Sequence, residues 1–348
     1  DMTPTELIDV FKNEPMDFDP CEKYLYNNSG YILLGHIIEV ITGESYADYI
    51  EKNIFERLGM KSSYYGSMKK IIKDRASGYQ NRDGFVNADY LSLTLPYAAG
   101  SLMSNVDDLF IWQQALNNHK LISKDTYELA INGSTLNNGE KIGYGYGLQK
   151  EDIQGSIAIM HGGGIFGYTT QGIYLPEEDV FVSILTNCDC NSPGGVASKI
   201  AALVIGKPFP DVADSVKLTE AELQKWVGNY QFPDGAILFI TVKDDKIFSQ
   251  REGSTLFEIF PMSKDQFIFE EGNITYNFSI KDGKKQASFE VGANKALGVE
   301  IDKAPPAEKK EITLAPEVLQ QYIGKYEIQP GFVLTVTVEG DKIFAQAT

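Results

Sequence analysis

A chain of 348 residues, 43% hydrophobic and 11% aromatic, can bury cores in roughly two to three domains, which excludes an intrinsically disordered protein. A formal net charge of -17 and a pI near 4.7, with no basic stripe, exclude a nucleic-acid binder, because phosphate contacts need clustered Lys and Arg.

Thr3-Pro4-Thr5-Glu6 reads as a capping box with Pro at the first helical position, opening a helix through Phe11. Tyr26-Asn27-Asn28 then leads into a helix over residues 30–42. Its apolar stripe is Leu33, Leu34, Ile37, Ile38 and Ile41, and Gly43 stands as its C-cap. Ser45 caps a third helix that ends before Gly59. Ser104-Asn105-Val106-Asp107 caps a fourth, and Ser123 starts a fifth. Residues 156–160, 168–175 and 180–186 read as strands, the last two joined as an antiparallel hairpin by Pro176-Glu177-Glu178-Asp179. A helix over residues 196–205 follows. Helices, then a meander, then a helix predict an α/β (α+β) domain in which helices cover an antiparallel sheet.

After Pro208 the pattern becomes short strands with turn signals at Pro233-Asp234-Gly235, Asp244-Asp245, Glu271-Gly272-Asn273 and Lys281-Asp282-Gly283, predicting a small all-β barrel or sandwich. The module repeats at a constant offset of 96 residues. Trp226-Val227-Gly228-Asn229-Tyr230 matches Tyr322-Ile323-Gly324-Lys325-Tyr326, and Asp245-Lys246-Ile247-Phe248 matches Asp341-Lys342-Ile343-Phe344. The expected organisation is a first domain over residues 1–208, an all-β module over 209–311, and an incomplete second copy over 312–348 with two predicted strands.

Cys188-Asp189-Cys190 has the wrong spacing for a CxxC redox site or a zinc pair and reads as small residues near a strand end. The three histidines show no ligand spacing with acidic residues, and no phosphate loop or dinucleotide fingerprint occurs, so neither metal nor cofactor is expected. His36 reads as a structural helix residue and His119 as part of an exposed turn. No apolar run is long enough to span a bilayer. Residue 1 is Asp and no signal peptide is present, so the chain reads as a processed form or a fragment.

Two motifs could carry chemistry. Tyr26 could act as a base if nearby cations lowered its phenol well below about 10, and Asn28 could hold a substrate amide; both could equally be turn residues. His161-Gly162-Gly163-Gly164 follows a strand. Its glycines could aim N–H groups at an oxyanion or simply form a flexible turn. The tetrapeptide is similar to the oxyanion loop of lipases, but the G-x-S-x-G elbow this requires is absent.

Four landmarks in order resemble the class C β-lactamase-like family of penicillin-recognising serine hydrolases. They are the segment from Tyr26 to Gly59, Ala99-Gly100-Ser101-Leu102-Met103-Ser104, Tyr144-Gly145-Tyr146-Gly147-Leu148, and Met160-His161-Gly162-Gly163-Gly164. The likeness covers nearly all of residues 1–208, and the repeat resembles β modules that follow this domain in bacterial relatives. The resemblance implies a β-lactamase/transpeptidase-like sheet, incomplete at its N-terminus. It implies that Tyr26 moves the proton from nucleophile to leaving group and that Asn28 binds the substrate carbonyl. His161 and Gly163 would match the first and third positions of the strand motif, and Gly164 would supply one oxyanion N–H.

The family's Ser-x-x-Lys lies upstream of its Tyr-x-Asn, and the one match here, Ser67-Met68-Lys69-Lys70, falls after it. The nucleophile is therefore expected outside this chain. Residues 1–208 should then expose apolar surface that another segment, another copy or a second polypeptide covers. The expected function is acyl-enzyme hydrolysis of a D-amino-acid peptide, β-lactam or small ester, with residues 1–348 inactive alone. The rival is a non-catalytic binder of cell-wall peptide or a protein partner. A bacterial periplasmic, envelope or secreted location is implied by the resemblance alone.

Overall fold

The computed structural model describes residues 1–82, 84–269, 273–291, 294–302, 314–329, 332–340 and 342–347. The chain forms two units, residues 1–302 and 303–348. The expected boundary at residue 311, residues 271 and 272 of one predicted turn, and Asp341 of the repeat match lie outside the described residues.

α1 (Pro4–Phe11) starts at the capping box read from Thr3 and Glu6. α2 (Asn28–Thr42) begins two residues earlier than expected, because the cap is Asn27, whose side chain accepts the Gly30 N–H at 2.8 Å. The apolar stripe of α2 also turns differently. Ile32 and Gly35 are buried, whereas Leu34, Ile37 and Ile41 face outward, Ile41 being 78% exposed. A helix apolar on both sides suits burial on both sides, and only one side of α2 is packed within the described residues. α3 (Tyr46–Ile50), capped by Ser45, runs into a π-helical turn (Glu51–Glu56) and stops at Gly59.

Short antiparallel pairs follow: β1 (Tyr64–Tyr65) with β4 (Leu102–Met103), and β2 (Tyr79–Asn81) with β3 (Phe85–Asn87). α4 (Val106–Asn117) and α5 (Lys124–Asn132) start at Asn105 and Ser123, as read.

β5 (Gln149–Ile153), β6 (Ser156–Ile165), β7 (Tyr168–Leu175) and β8 (Val180–Thr186) form an antiparallel sheet in chain order. The helix α6 (Gly194–Val204) lays Ala197, Ala201 and Ala202 on Ile153, Ala158, Ile173, Leu175 and Val182 of one face. On the other face Ile159 meets Leu116, Tyr127 and Ile131 of α4 and α5. The mixed α/β architecture with an antiparallel sheet under helices is the one expected. α6 also exposes Val196, Leu203 and Val204, so the expected uncovered apolar surface is present.

Three sequence readings are corrected. The strand read as residues 156–160 continues to Ile165, so His161 and its glycines are strand, not a flexible turn, because β7 pairs with every residue of the run. Cys188 and Cys190 form a disulfide: their Cα atoms are 5.2 Å apart, within bridging range despite the short spacing. The second copy of the repeat has three strands, not two.

The helix α7 (Glu220–Gln224) precedes a closed eight-stranded antiparallel barrel. Its strands are β9 (Gly228–Gln231), β10 (Ile237–Lys243), β11 (Lys246–Arg251), β12 (Phe257–Pro261), β13 (Gln266–Phe269), β14 (Ile274–Lys281), β15 (Lys284–Val291) and β16 (Asn294–Ile301). β16 pairs with β9 to close it. Asp244 and Asp245 adopt positive φ in the two-residue turn between β10 and β11, as such tight hairpins require. The core holds Trp226, Tyr230, Ile240, Ile247, Phe267, Tyr276 and Phe278.

In the second unit, α8 (Pro316–Leu319) leads to the sheet β17 (Gly324–Gln329), β18 (Phe332–Glu339) and β19 (Lys342–Ala347). The repeat is physical as well as textual. Tyr230 donates its hydroxyl proton to the Trp226 carbonyl at 2.6 Å, and Tyr326 does the same to the Tyr322 carbonyl at 2.9 Å. Tyr230 is 0% exposed and Tyr326 is 42% exposed. Tyr230→Phe leaves a buried carbonyl unpaired and is expected to cost about 1–3 kcal/mol, and Tyr326→Phe less than about 1 kcal/mol. Urea unfolding followed by Trp226 fluorescence in a Trp112→Phe background tests the first, and tyrosine near-UV dichroism the second.

Candidate active site

The Asn27 cap holds the start of α2 and therefore sets Tyr26 just outside the helix and Asn28 in its first turn. Tyr26 is 51% exposed. Asn28 is exposed, and its side chain has no hydrogen-bond partner among the described residues. Tyr26 lies edge-on to Tyr144 with ring centroids 5.9 Å apart, and 6.2 Å from the His161 ring. The two motifs read from the sequence thus meet across 135 residues of chain.

The sequence reading missed Tyr144 as a site residue, although Tyr144-Gly145-Tyr146-Gly147 was visible as a landmark. Its hydroxyl lies 2.9 Å from His161 Nε2. His161 Nδ1 lies 2.6 Å from the Gly162 carbonyl oxygen, which can only accept, so Nδ1 carries a proton. In the neutral ring Nε2 is then the acceptor of the Tyr144 hydroxyl proton. Burial, and then the neighbouring Tyr31 and Tyr26 phenols, push the Tyr144 pKa well above the ordinary tyrosine value, so it stays a donor. Burial also raises Tyr31 and Tyr24. Tyr24 packs on Tyr144 at 5.5 Å.

Tyr144 is held by close backbone contact. The Tyr146 N–H donates to the Ala130 carbonyl at 2.9 Å. A Cβ on Gly145 would fall 1.8 Å from that same oxygen, so only glycine lets this loop lie on the end of α5.

β6 supplies the other half. β5 pairs with it only from Ser156 to Met160, whereas β7 continues to Ile165. Residues 161–165 therefore have a strand on one side only. Two-residue turns at both ends of β6 close on Ile153 with Ser156 and on Ile165 with Tyr168. Closing pairs of such hairpins exchange both hydrogen bonds. Residues 161, 163 and 165 then bond to β7, and the N–H groups of Gly162 and Gly164 point to the open edge. A Cβ on Gly164 would meet nothing within 4 Å, so this backbone is open to a ligand.

Ser67 and Lys70 do not join the site. Ser67 Oγ accepts the Lys69 and Lys70 backbone N–H groups, and the Lys70 ammonium lies by Glu51 and over the Tyr64 ring. No serine hydroxyl is hydrogen-bonded to Tyr26, Tyr144 or His161 among the described residues. His36 sits in α2, 3.8 Å from Glu39, and His119 in an exposed turn. Among the described residues no group of three His, Cys, Asp or Glu gathers as a metal site would. No helix there is long and apolar enough to cross a membrane.

Comparison with known proteins agrees with the fold. The family model described as Beta-lactamase matches residues 1–205. Penicillin-binding protein 4* of Bacillus subtilis (strain 168) is 31% identical over 300 residues, covering 79% of this chain and 66% of that protein. A D-aminopeptidase of Gluconobacter oxydans (strain 621H) is 24% identical over 196 residues, 56% of this chain and 37% of that enzyme. The chain therefore spans about a third to two thirds of these relatives' lengths. Among solved structures, the octameric penicillin-binding protein homologue from Pyrococcus abyssi superposes with a TM-score of 0.54 at 28% identity, over 85% of this chain and 70% of that one. With more than half of its residues matched by the family model and the antiparallel sheet under helices in place, the chain belongs to the beta-lactamase family.

Proposed function

We propose that residues 1–208 carry the base and oxyanion half of a serine hydrolase active site that works through an acyl-enzyme on an amide or ester. The carrying observation is the meeting of Tyr26, Tyr144 and His161 beside the one-sided edge of residues 162–164. The relatives named for penicillin binding and D-aminopeptidase activity support a D-amino-acid peptide, β-lactam or small ester as substrate.

In this reading Tyr26 takes the nucleophile's proton and returns it to the leaving group, and Asn28 holds the substrate carbonyl side. The Gly164 N–H stabilises the tetrahedral oxyanion. The Gly162 N–H and Gly163 frame the substrate along the edge, and Tyr144 holds the His161 ring in place. The serine, its lysine and the second oxyanion N–H come from polypeptide that packs on the exposed apolar sides of α2 and α6. Similarity to a penicillin-binding protein supports a bacterial envelope or secreted setting, where cell-wall peptides are met. The organisation into a domain over residues 1–208, a module over 209–311 and a second copy over 312–348 is part of this proposal.

A serine-reactive phosphonate and a chromogenic β-lactam test it. Residues 1–348 alone should neither label nor turn over, whereas a form that includes a Ser-x-x-Lys segment should label at that serine. Labelling at Ser67 would overturn the assignment. A longer form that never labels with phosphonate, ester or lactam would favour the non-catalytic binder. In the active form, Tyr26→Phe should lower acylation by about 10²–10⁴-fold. Its effect on stability should stay within about 0.5 kcal/mol, since Tyr26 is half-exposed. Tyr144→Phe, which removes the hydroxyl that holds the His161 ring and meets Tyr31, should cost about tenfold, the equivalent of one ordinary hydrogen bond; stopped-flow acylation rates measure both.

A further inference from the structure

With a strand on one side only, the edge at residues 162–164 takes its place from whatever fastens the β6–β7 tip. The Gly167 N–H in that tip donates to Asp189 Oδ2 at 2.9 Å. The same carboxylate oxygen accepts Gln80 Nε2 at 2.8 Å. Gln80 Oε1 in turn accepts the Asp89 N–H and an Arg82 guanidinium N–H, each at 3.1 Å, and Arg82 pairs with Asp89. Asp189 therefore joins three elements: the tip, the β2–β3 hairpin and the segment leaving β8. That segment runs beside β2 through a parallel bridge between Tyr79 and Cys188.

The other fastenings of the tip are neutral. Tyr168 donates its hydroxyl proton to the Ala76 carbonyl at 2.7 Å, and Thr169 Oγ1 lies 2.8 Å from the Asn191 carbonyl. A hydrogen bond to an ionised acceptor is roughly twice as strong as a neutral one. The Gly167 N–H first, and Gln80 second, hold the Asp189 carboxyl below its usual range, with Arg82 the facing cation from the β2–β3 hairpin. Asp189 itself sits between the bridged Cys188 and Cys190, at a site that no reading of the catalytic motifs uses.

We propose that Asp189 is a positioning residue for the glycine edge of β6, acting through Gly167 and Gln80 without touching substrate. Its catalytic meaning rests on the reading of that edge as the oxyanion strand; its mechanical meaning does not. The test compares Asp189→Ala and Asp189→Asn in the full chain by amide hydrogen exchange. Asp189→Ala should speed exchange at Gly163, Ile165 and Gly167, the amides of this run that are hydrogen-bonded, about tenfold, as loss of a hydrogen bond to a charged group predicts. The barrel strands β9–β16 should be unchanged. Asp189→Asn retains an acceptor for the Gly167 N–H, keeps the fold, and should restore most of the protection.

The Gly167 amide resonance should also titrate in the wild type with a midpoint below the usual aspartate range and lose that titration in Asp189→Asn. Unchanged exchange in Asp189→Ala, or an equal rise throughout residues 1–208, overturns the proposal. In a form that turns over substrate, Asp189→Ala should lower kcat with KM unchanged. Faster exchange with unchanged kcat would keep the positioning role and overturn the oxyanion reading instead.

Discussion

The site depends on one asymmetry in a hydrogen-bond ladder. β7 follows β6 to its end and β5 does not, so the last five residues of β6 are bonded on one side and open on the other. A strand edge inside a folded domain is a ready-made template for an extended ligand. Here the edge lacks side chains at three successive positions, so nothing screens its N–H groups. The His161 ring takes the Gly162 carbonyl, and Tyr144 takes the other side of the ring. The open edge thus follows from where one strand stops.

Around that edge the supporting parts are local and ordinary. Asn27 caps α2, and Tyr26, just before it, lies beside the His161 ring. Gly145 lets the Tyr144 loop lie directly on a carbonyl at the end of α5. α2 buries Ile32 and Gly35 against the rest of the domain and leaves Ile37 and Ile41 bare. That second face and the outer face of α6 are the surfaces on which the proposed serine-bearing polypeptide would rest.

The barrel has a core of its own. It closes by pairing β16 with β9, which removes every strand edge from the first copy and seals Trp226 and Tyr230 inside. The second unit keeps the same hydrogen bond from Tyr326 to Tyr322 in a three-stranded sheet, where both residues stay half-exposed. Local sequence is enough to build the strands and their tyrosine contact. Burial requires the neighbours.

Local chemistry was legible throughout. Thr3, Ser45, Asn105 and Ser123 mark helix starts because caps satisfy N–H groups within the same turn, and the 96-residue repeat is visible because like residues recur at like positions. Tyr26, Asn28 and His161 could be named from short motifs. What those motifs meant was not legible. The glycines of residues 162–164 look like a turn until β7 pairs with them, and the stripe on α2 looks like its core face until Ile32 and Gly35 are seen packed instead. Tyr144 gains a role only when its hydroxyl meets His161, and Asp189 only when Gly167 points at it. Capping, turns and periodicity act over a few residues, so the sequence by itself determined the elements, the repeat and the candidate residues. Strand pairing and side-chain contacts reach further, from Tyr144 with His161 at 17 positions to Tyr26 with His161 at 135, so only the tertiary structure decided which of them come together.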